Sequence, residues 1–211
     1  MRIKERTNLE VTVDKRHIVS IGERLYTESV ELLRELVNNA YDADATDVSV
    51  EITSEKITIM DNGVGMDLEG LKQYFIIGSD EKIIHSRSSK FGRVRIGQFG
   101  IGKFASLAAA ACFEVFTQHK DFAAKVTFDK HAWEEAKHTW NLPLEILAPD
   151  RERGDGTTVV LSKLSKSFDF EEVEKKLIEG VPLKAPDFSV YLNGCRQNQG
   201  GDQRRLPPHH Q

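Results

Sequence analysis

Glu35, Asn39 and Asp42 stand at i, i+4 and i+7 in ESVELLRELVNNAYDADAT, a spacing that stacks three polar side chains along one stripe of a helix. A solvated stripe more usually carries Lys/Glu pairs, whereas this one offers carboxylate and amide oxygens and no lysine. Such oxygens suit the needs of a bound nucleoside triphosphate. Its Mg2+ takes octahedral oxygen ligands and keeps several waters, so Asn39 is the candidate for one metal ligand. Glu35, one helical turn away, can orient and deprotonate an attacking water. Further on, Asp61 leads into the Gly-rich turn of DNGVGM. A carboxylate there can accept from the exocyclic amine of adenine. Gly97, Gly100 and Gly102 of GQFGIGK lack Cβ atoms and allow backbone N–H groups close to phosphates, and a helix starting near Lys103 would add its N-terminal dipole. Each piece alone is weak, because GxxGxG is common and a Glu-x-x-x-Asn pair usually decorates a surface.

The elements that must hold these residues follow from periodicity. Val30, Leu33, Val37 and Ala40 repeat on one face of the helix that carries the polar stripe. Residues 10–13 alternate like a short strand, and 18–26 look like a helical lead-in. Strands are expected over 47–53 and 56–60, joined by a turn at Ser54-Glu55. Asp67 suits an N-cap for a helix with Leu68, Leu71 and Phe75 on its apolar face, running up to Gly78. From Gly78 to Gly97 neither period is clear, and Lys82, His85, Arg87, Lys90, Arg93 and Arg95 lie among serines. A loop of that length within a compact domain is usually functional. A small-residue helix is expected over 103–111, paired strands over 112–117 and 122–128, and a short helix over 129–137. Strands follow at 144–147 and 157–161, then a helix over 170–178 with Phe170, Val173 and Leu177 on one face. A last strand covers 188–192, before Asn193-Gly194, a hairpin signal with no evident second strand. After Cys195 the composition turns to Gln, Gly, Arg, Pro and His, the mark of a disordered tail. The count gives an α+β fold, a two-layer α/β sandwich with a mixed β-sheet and helices on one face.

Composition sets the outer bounds. The 211 residues are 39% hydrophobic, enough for one sizeable core. Charged residues make up 29% and the net charge is −4, a balance that argues against a general nucleic-acid binder. Cys112 and Cys195 match no metal-ligand spacing and read as reduced thiols. The histidines show no ligand spacing either. No apolar run approaches the roughly 18 residues needed to span a bilayer, and no apolar signal core follows MRIKER, so no membrane is implied and a cytoplasmic location is expected.

In order, ELVNNAYDADAT, DNGVGM, GQFGIGKFAS and GDGTTVVL resemble the four nucleotide-binding boxes of the GHKL ATPase superfamily, which includes gyrase-type topoisomerases, ninety-kilodalton heat-shock chaperones, histidine kinases, MutL and the MORC ATPases. The resemblance covers residues 25–161. The glycine box is most similar to the chaperone version and the first box to the MutL and MORC version. The resemblance implies a Bergerat-type fold with about eight strands and a left-handed βαβ crossover. It assigns Glu35 as general base, Asn39 as Mg2+ ligand, Asp42 as a pocket carboxylate and Asp61 as the adenine-reading aspartate. Gly63 and Gly65 would let the backbone pass close to the base, and Met66 would pack on it. Gly97, Gln98, Phe99, Gly100, Ile101 and Gly102 match the phosphate-binding end of the lid. Lys103 stands where the chaperones carry an aromatic, as either a phosphate ligand or a solvated helix start. Thr157 or Thr158 matches the threonine that shares a water with adenine. The domain would be 1–194, with a lid over about 78–102 and a tail over 195–211.

The function so implied is Mg2+-dependent hydrolysis of ATP to ADP and phosphate. Lid closure would be coupled to ATP-dependent homodimerisation and to a switch in a larger protein or complex. A C-terminal domain or partner would supply a phosphate-sensing lysine. Two alternatives stand beside it: the ATP-binding domain of a histidine protein kinase, for which His17 is the only histidine before the boxes, and a slow or non-hydrolysing nucleotide-gated scaffold that touches nucleic acid through its basic lid. For the lid cations, solvation with partial neutralisation of ATP is the favoured reading.

Overall fold

Helix α1 (Ser29–Asp42) buries Val30, Leu33, Val37 and Ala40, as the periodicity predicts, and Leu32 and Leu36 widen the same face. The structure is a computed structural model and describes residues 29–76, 87–96, 109–136 and 141–198. The expected strand at 10–13 and the helical lead-in at 18–26 lie outside the described residues, as do residues 103–108 of the expected helix at 103–111; Ala110 and Ala111, expected to end that helix, begin a strand instead. Helix α1 ends in a Schellman motif: the Ala45 N–H donates to Ala40 O at 3.0 Å and the Asp44 N–H to Tyr41 O at 3.1 Å. Asp44 holds the left-handed position, with φ 61°, where glycine is usual. Its side chain gives the reason, set out below.

Strands β1 (Asp47–Ile52) and β2 (Lys56–Asp61) pair antiparallel with Val50 opposite Ile59. Val48, Val50, Ile57 and Ile59 are buried on one face. Helix α2 (Leu68–Tyr74) is capped by Asp67, whose carboxylate accepts from the Gly70 N–H. Leu71 is buried, but Leu68 is 38% exposed, a correction to the expected apolar face: it opens the first turn and points off the sheet. Strands β3 (Ala110–His119) and β4 (Phe122–Asp129) form a long hairpin, β3 beginning two residues before Cys112. Helix α3 (Lys130–Glu135) is capped by Asp129 and packs Trp133 on Phe128, with ring centroids 5.1 Å apart. Strand β5 (Leu144–Leu147) forms one edge, and β6 (Gly156–Leu164) runs three residues beyond the expected end. Helix α4 (Phe170–Gly180) buries Val173 and Leu177. Phe170, expected on that face, is 38% exposed because it too begins its helix.

Strand β7 (Ser189–Leu192) turns through Asn193 (φ 46°) and Gly194 (φ 78°) into β8 (Cys195–Arg196). Positive φ at both central residues is the type I′ signature, so the hairpin signal does have its second strand, only two residues long. Gln197 is buried and donates its N–H to Val190 O, so the sheet runs past the expected start of the tail.

The eight strands form one mixed sheet in the order β5-β4-β3-β6-β2-β1-β7-β8, antiparallel throughout except for the parallel pair β1–β7. Inward residues of β1, β2, β3, β4, β6 and β7 join α1, α4 and Trp133 in one core, and Leu71 of α2 rests on Ala124 and Val126 of the same face. The reverse face carries half-exposed Met60 and the ion pairs of Lys125 with Glu114 and Glu145. This is the expected α+β sandwich with helices on one face. Its consequence for function is that α1, the end of β2 and the start of β6 converge over one part of the sheet.

Candidate functional site

Glu35, Asn39 and Asp42 of α1 line a cavity of about 360 Å3 together with Asp61, Gly65, Met66 and Thr157. The helix supplies one wall because its apolar face is committed to the sheet, which turns the polar stripe toward the gap. The end of β2 supplies another. Asp61 Oδ1 accepts from the Gly63 N–H at 2.8 Å and from the Thr157 N–H at 3.3 Å. Burial pushes its carboxyl up to about 6, against those two hydrogen bonds and the positive charge of Arg153, which pull the other way. The unfolded carboxyl titrates near 3.8. Between the two values the folded chain holds a proton that the unfolded chain does not, so stability of the ligand-free fold falls as pH rises across that window.

Close backbone approach explains the glycines of DNGVG. A Cβ on Gly63 would lie 2.6 Å from Ala43 O, which accepts from the Val64 N–H at 2.8 Å. A Cβ on Gly65, at φ 64°, would lie 1.8 Å from Gln118 O. Asn62, between them, is a staple: its Oδ1 accepts from the Thr46 and Asp47 N–H groups, each at 2.9 Å, and ties the turn to the start of β1.

Thr157 and Thr158 point opposite ways, as neighbours in a strand must. Thr157 lines the cavity, and its hydroxyl lies 3.4 Å from that of Thr117. Thr158 faces the reverse side, where its hydroxyl accepts from Arg153 at 2.6 Å. Gly97, Gln98, Phe99, Gly100, Ile101, Gly102 and Lys103 lie outside the described residues. Lining residues that sequence reasoning missed include Tyr74, Gln73, Ser89 and His119, and Arg95 reads from sequence only as a loop cation. Thr117, whose hydroxyl accepts from the Met66 N–H at 2.8 Å, was missed as well. It had a legible signal, a polar residue in register with inward Phe113 and Val115. His119 Nδ1 lies 2.6 Å from Val64 O, and since a carbonyl only accepts, Nδ1 carries the proton. The Tyr74 phenol is pushed above its ordinary range by burial and by the charges of Glu35 and Asp61, so it stays neutral.

The described part of the basic loop, 87–96, is firmly held. Asp44, in its left-handed position, accepts from Ser88 Oγ at 2.5 Å, from the Lys90 N–H at 2.6 Å and from the Phe91 N–H at 3.2 Å. These bonds and Arg93 hold its carboxyl below the ordinary value, although burial opposes them. Arg93 is a correction to the reading of the loop cations as solvated. It is buried, donates to Tyr41 O, Ala45 O and Asp187 O, and stacks on Tyr41, Phe91 and Phe188. A guanidinium fits because its fork meets carbonyls at its edge while its face meets rings. Asp42 adds a third anchor by accepting from the Ile96 N–H at 2.8 Å. Asp44→Gly keeps a residue suited to the left-handed helix end but removes the anchor. Hydrogen exchange is expected to accelerate over 88–93 while α1 stays protected; unchanged exchange over 88–93 would assign the tether to Arg93 alone.

Among the described residues no three His, Cys, Asp or Glu side chains gather as a metal cage. The donor set fits an ion held by one protein oxygen, waters and phosphates, as Mg2+ prefers.

The model of the "Histidine kinase-, DNA gyrase B-, and HSP90-like ATPase" family matches residues 26–157. Among curated proteins, the chain is 37% identical to a "Putative type II restriction enzyme HgiDII" of Herpetosiphon aurantiacus over 97 residues, 46% of this chain and 16% of that protein. It is 27% identical to the "Chaperone protein HtpG" of Helicobacter pylori strain 26695 over 86% of this chain and 32% of the chaperone. It is 28% identical to an "Endoplasmin homolog" of Arabidopsis thaliana over 80% of this chain and 22% of that protein. The chain thus spans a third or less of the length of these relatives. Over the boxes that carry its cavity, the chain belongs to the histidine kinase-, DNA gyrase B- and HSP90-like ATPase family.

Proposed function

We propose that this chain binds ATP with Mg2+ and hydrolyses it to ADP and phosphate. The observation that carries the reading is the meeting of the α1 stripe with the buried Asp61 carboxyl in one cavity. Asp61 receives the adenine amine, with Thr157 beside it and the backbone at Gly63 and Gly65 passing close to the base. Met66 packs on the ring. Asn39 is the side chain that would hold Mg2+, which when bound supplies neutralising charge to the phosphate oxygens. Glu35 takes a proton from water as the water oxygen attacks the γ-phosphorus. The bond from that phosphorus to the bridging oxygen breaks, and ADP leaves with the electron pair.

Lid closure over the nucleotide, with dimerisation of the chain and a switch in a longer protein, extends the same proposal. The similarity to HtpG chaperones supports it. Turnover per chain that rises with protein concentration would carry the dimerisation; a constant value would remove it. The similarity to a restriction enzyme raises a nucleic-acid role, but within the described residues 87–96 Arg93 is buried, Arg95 lines the cavity and Arg87 donates to Gly92 O, which leaves fewer free cations there for a phosphate backbone.

Calorimetric titration with ATP tests the reading through Asp61. Affinity is expected to weaken as pH falls through about 6, the value to which burial raises this carboxyl, because protonation turns an acceptor into a donor facing the adenine amine. Asp61→Asn is expected to bind at least about tenfold more weakly and to lose that pH dependence. A wild-type chain that binds no ATP at any pH would overturn the function.

A further inference from the structure

Among the described residues, four carboxylates line the cavity, those of Glu35, Asp42, Asp61 and Asp67, against one guanidinium, that of Arg95. The neighbouring loop cations are engaged: Arg87 donates to Gly92 O, Arg93 to three carbonyls, and Lys90 lies over the Phe91 ring. Arg95 differs. Its Nε is buried and meets no hydrogen-bond partner among the described residues. A buried donor of a charged group left unmet is costly, and the acidic wall has not claimed it. The backbone on either side is fixed, by Arg93 in its box of rings and carbonyls and by the Ile96 N–H on Asp42. Little further ordering is needed for Arg95 to meet a ligand, and preordered groups bind at lower entropic cost.

We propose that Arg95 is a phosphate-binding residue of this site, a lid guanidinium that grips the nucleotide's phosphate chain from within the same chain. The inference rests on the nucleotide reading of the cavity and adds to it a cation from the described residues. A triphosphate entering a cavity with four carboxylates needs positive charge beyond one divalent ion, and a planar guanidinium can meet two phosphate oxygens at once. The predicted selectivity is for polyphosphate over the bare nucleoside.

Calorimetry with ATP, ADP and adenosine, on wild type, Arg95→Ala and Arg95→Lys, tests this. Arg95→Ala is expected to weaken ATP by about tenfold to a hundredfold, ADP by less, and adenosine by no more than about twofold. Arg95→Lys, which keeps the charge without the fork, should fall between. If Arg95→Ala does not fold, Arg95→Gln carries the same comparison. Equal weakening of all three ligands would make Arg95 a shaping residue, and unchanged ATP affinity would leave it idle; either overturns the proposal while the nucleotide reading stands. A wild type that binds none of the three removes the nucleotide reading itself.

Discussion

Glu35→Ala is expected to keep ATP bound while turnover falls by about a hundredfold to ten-thousandfold, the range a positioned general base contributes. Glu35 stands one helical turn before Asn39 on α1 and shares the cavity with it. Its charge reaches the Tyr74 phenol, which also feels Asp61, so the stripe and the Asp61 carboxyl act on one enclosed space. Removing it takes one carboxylate away from the cavity proposed to hold a polyanion, so ATP affinity should hold or rise. Glu35→Gln separates charge from shape: it can still hold a water by hydrogen bonding but cannot accept its proton, and should be nearly as slow. Phosphate release under saturating ATP, with binding measured separately, reads both quantities. Undiminished release would take the role of base away from Glu35. Parallel loss of binding and turnover would make it a binding residue instead.

What could be read in advance was what depends on near neighbours. The α1 stripe, the alternation of β1 and β2, the Asp67 cap and the DNGVG turn each repeat over a few residues, and the structure places them as expected. The anchor of the 87–96 loop was illegible for the opposite reason. Arg93 is claimed by Tyr41, Ala45 and Asp187, which are about fifty and about ninety residues away, and no local pattern announces such a meeting. Asp44 was equally hidden: an aspartate at a helix end reads as a surface residue until three donors from 88–91 are seen to arrive at it. Strand β8 is too short for any period, and only the Asn193-Gly194 turn betrayed it. Thr117 is the instructive omission, because within the expected strand at 112–117 it alternates with Phe113 and Val115, which puts its hydroxyl on their inward face.

Gly65→Ala is expected to place a methyl group in the tightest backbone contact of any described glycine. Its Cβ would fall 1.8 Å from Gln118 O and 2.7 Å from Gln118 C, both backbone atoms of β3, and at φ 64°. Gln118 cannot step aside. Its side-chain amide donates to Asp150 O and Gly154 O, each at 2.9 Å, and its Oε1 accepts from the Asp150 N–H at 2.7 Å. Beside it, His119 holds Val64 O and Thr117 holds the Met66 N–H, so the turn is fixed to β3 on both sides of the glycine. The left-handed cost and the collision together should remove at least about 3 kcal/mol. Gly154→Ala is the control. It has φ 73° and nothing within 4 Å of its added Cβ, so it should lose only about 1 to 2 kcal/mol. Urea denaturation of the two variants measures the difference. Equal losses would mean that dihedral strain alone decides, and that the turn can slide along β3. The unequal result would show why the turn after Asp61 must be glycine at 65: the cavity's edge is built at backbone-to-backbone contact, with no room for a side chain of any chemistry.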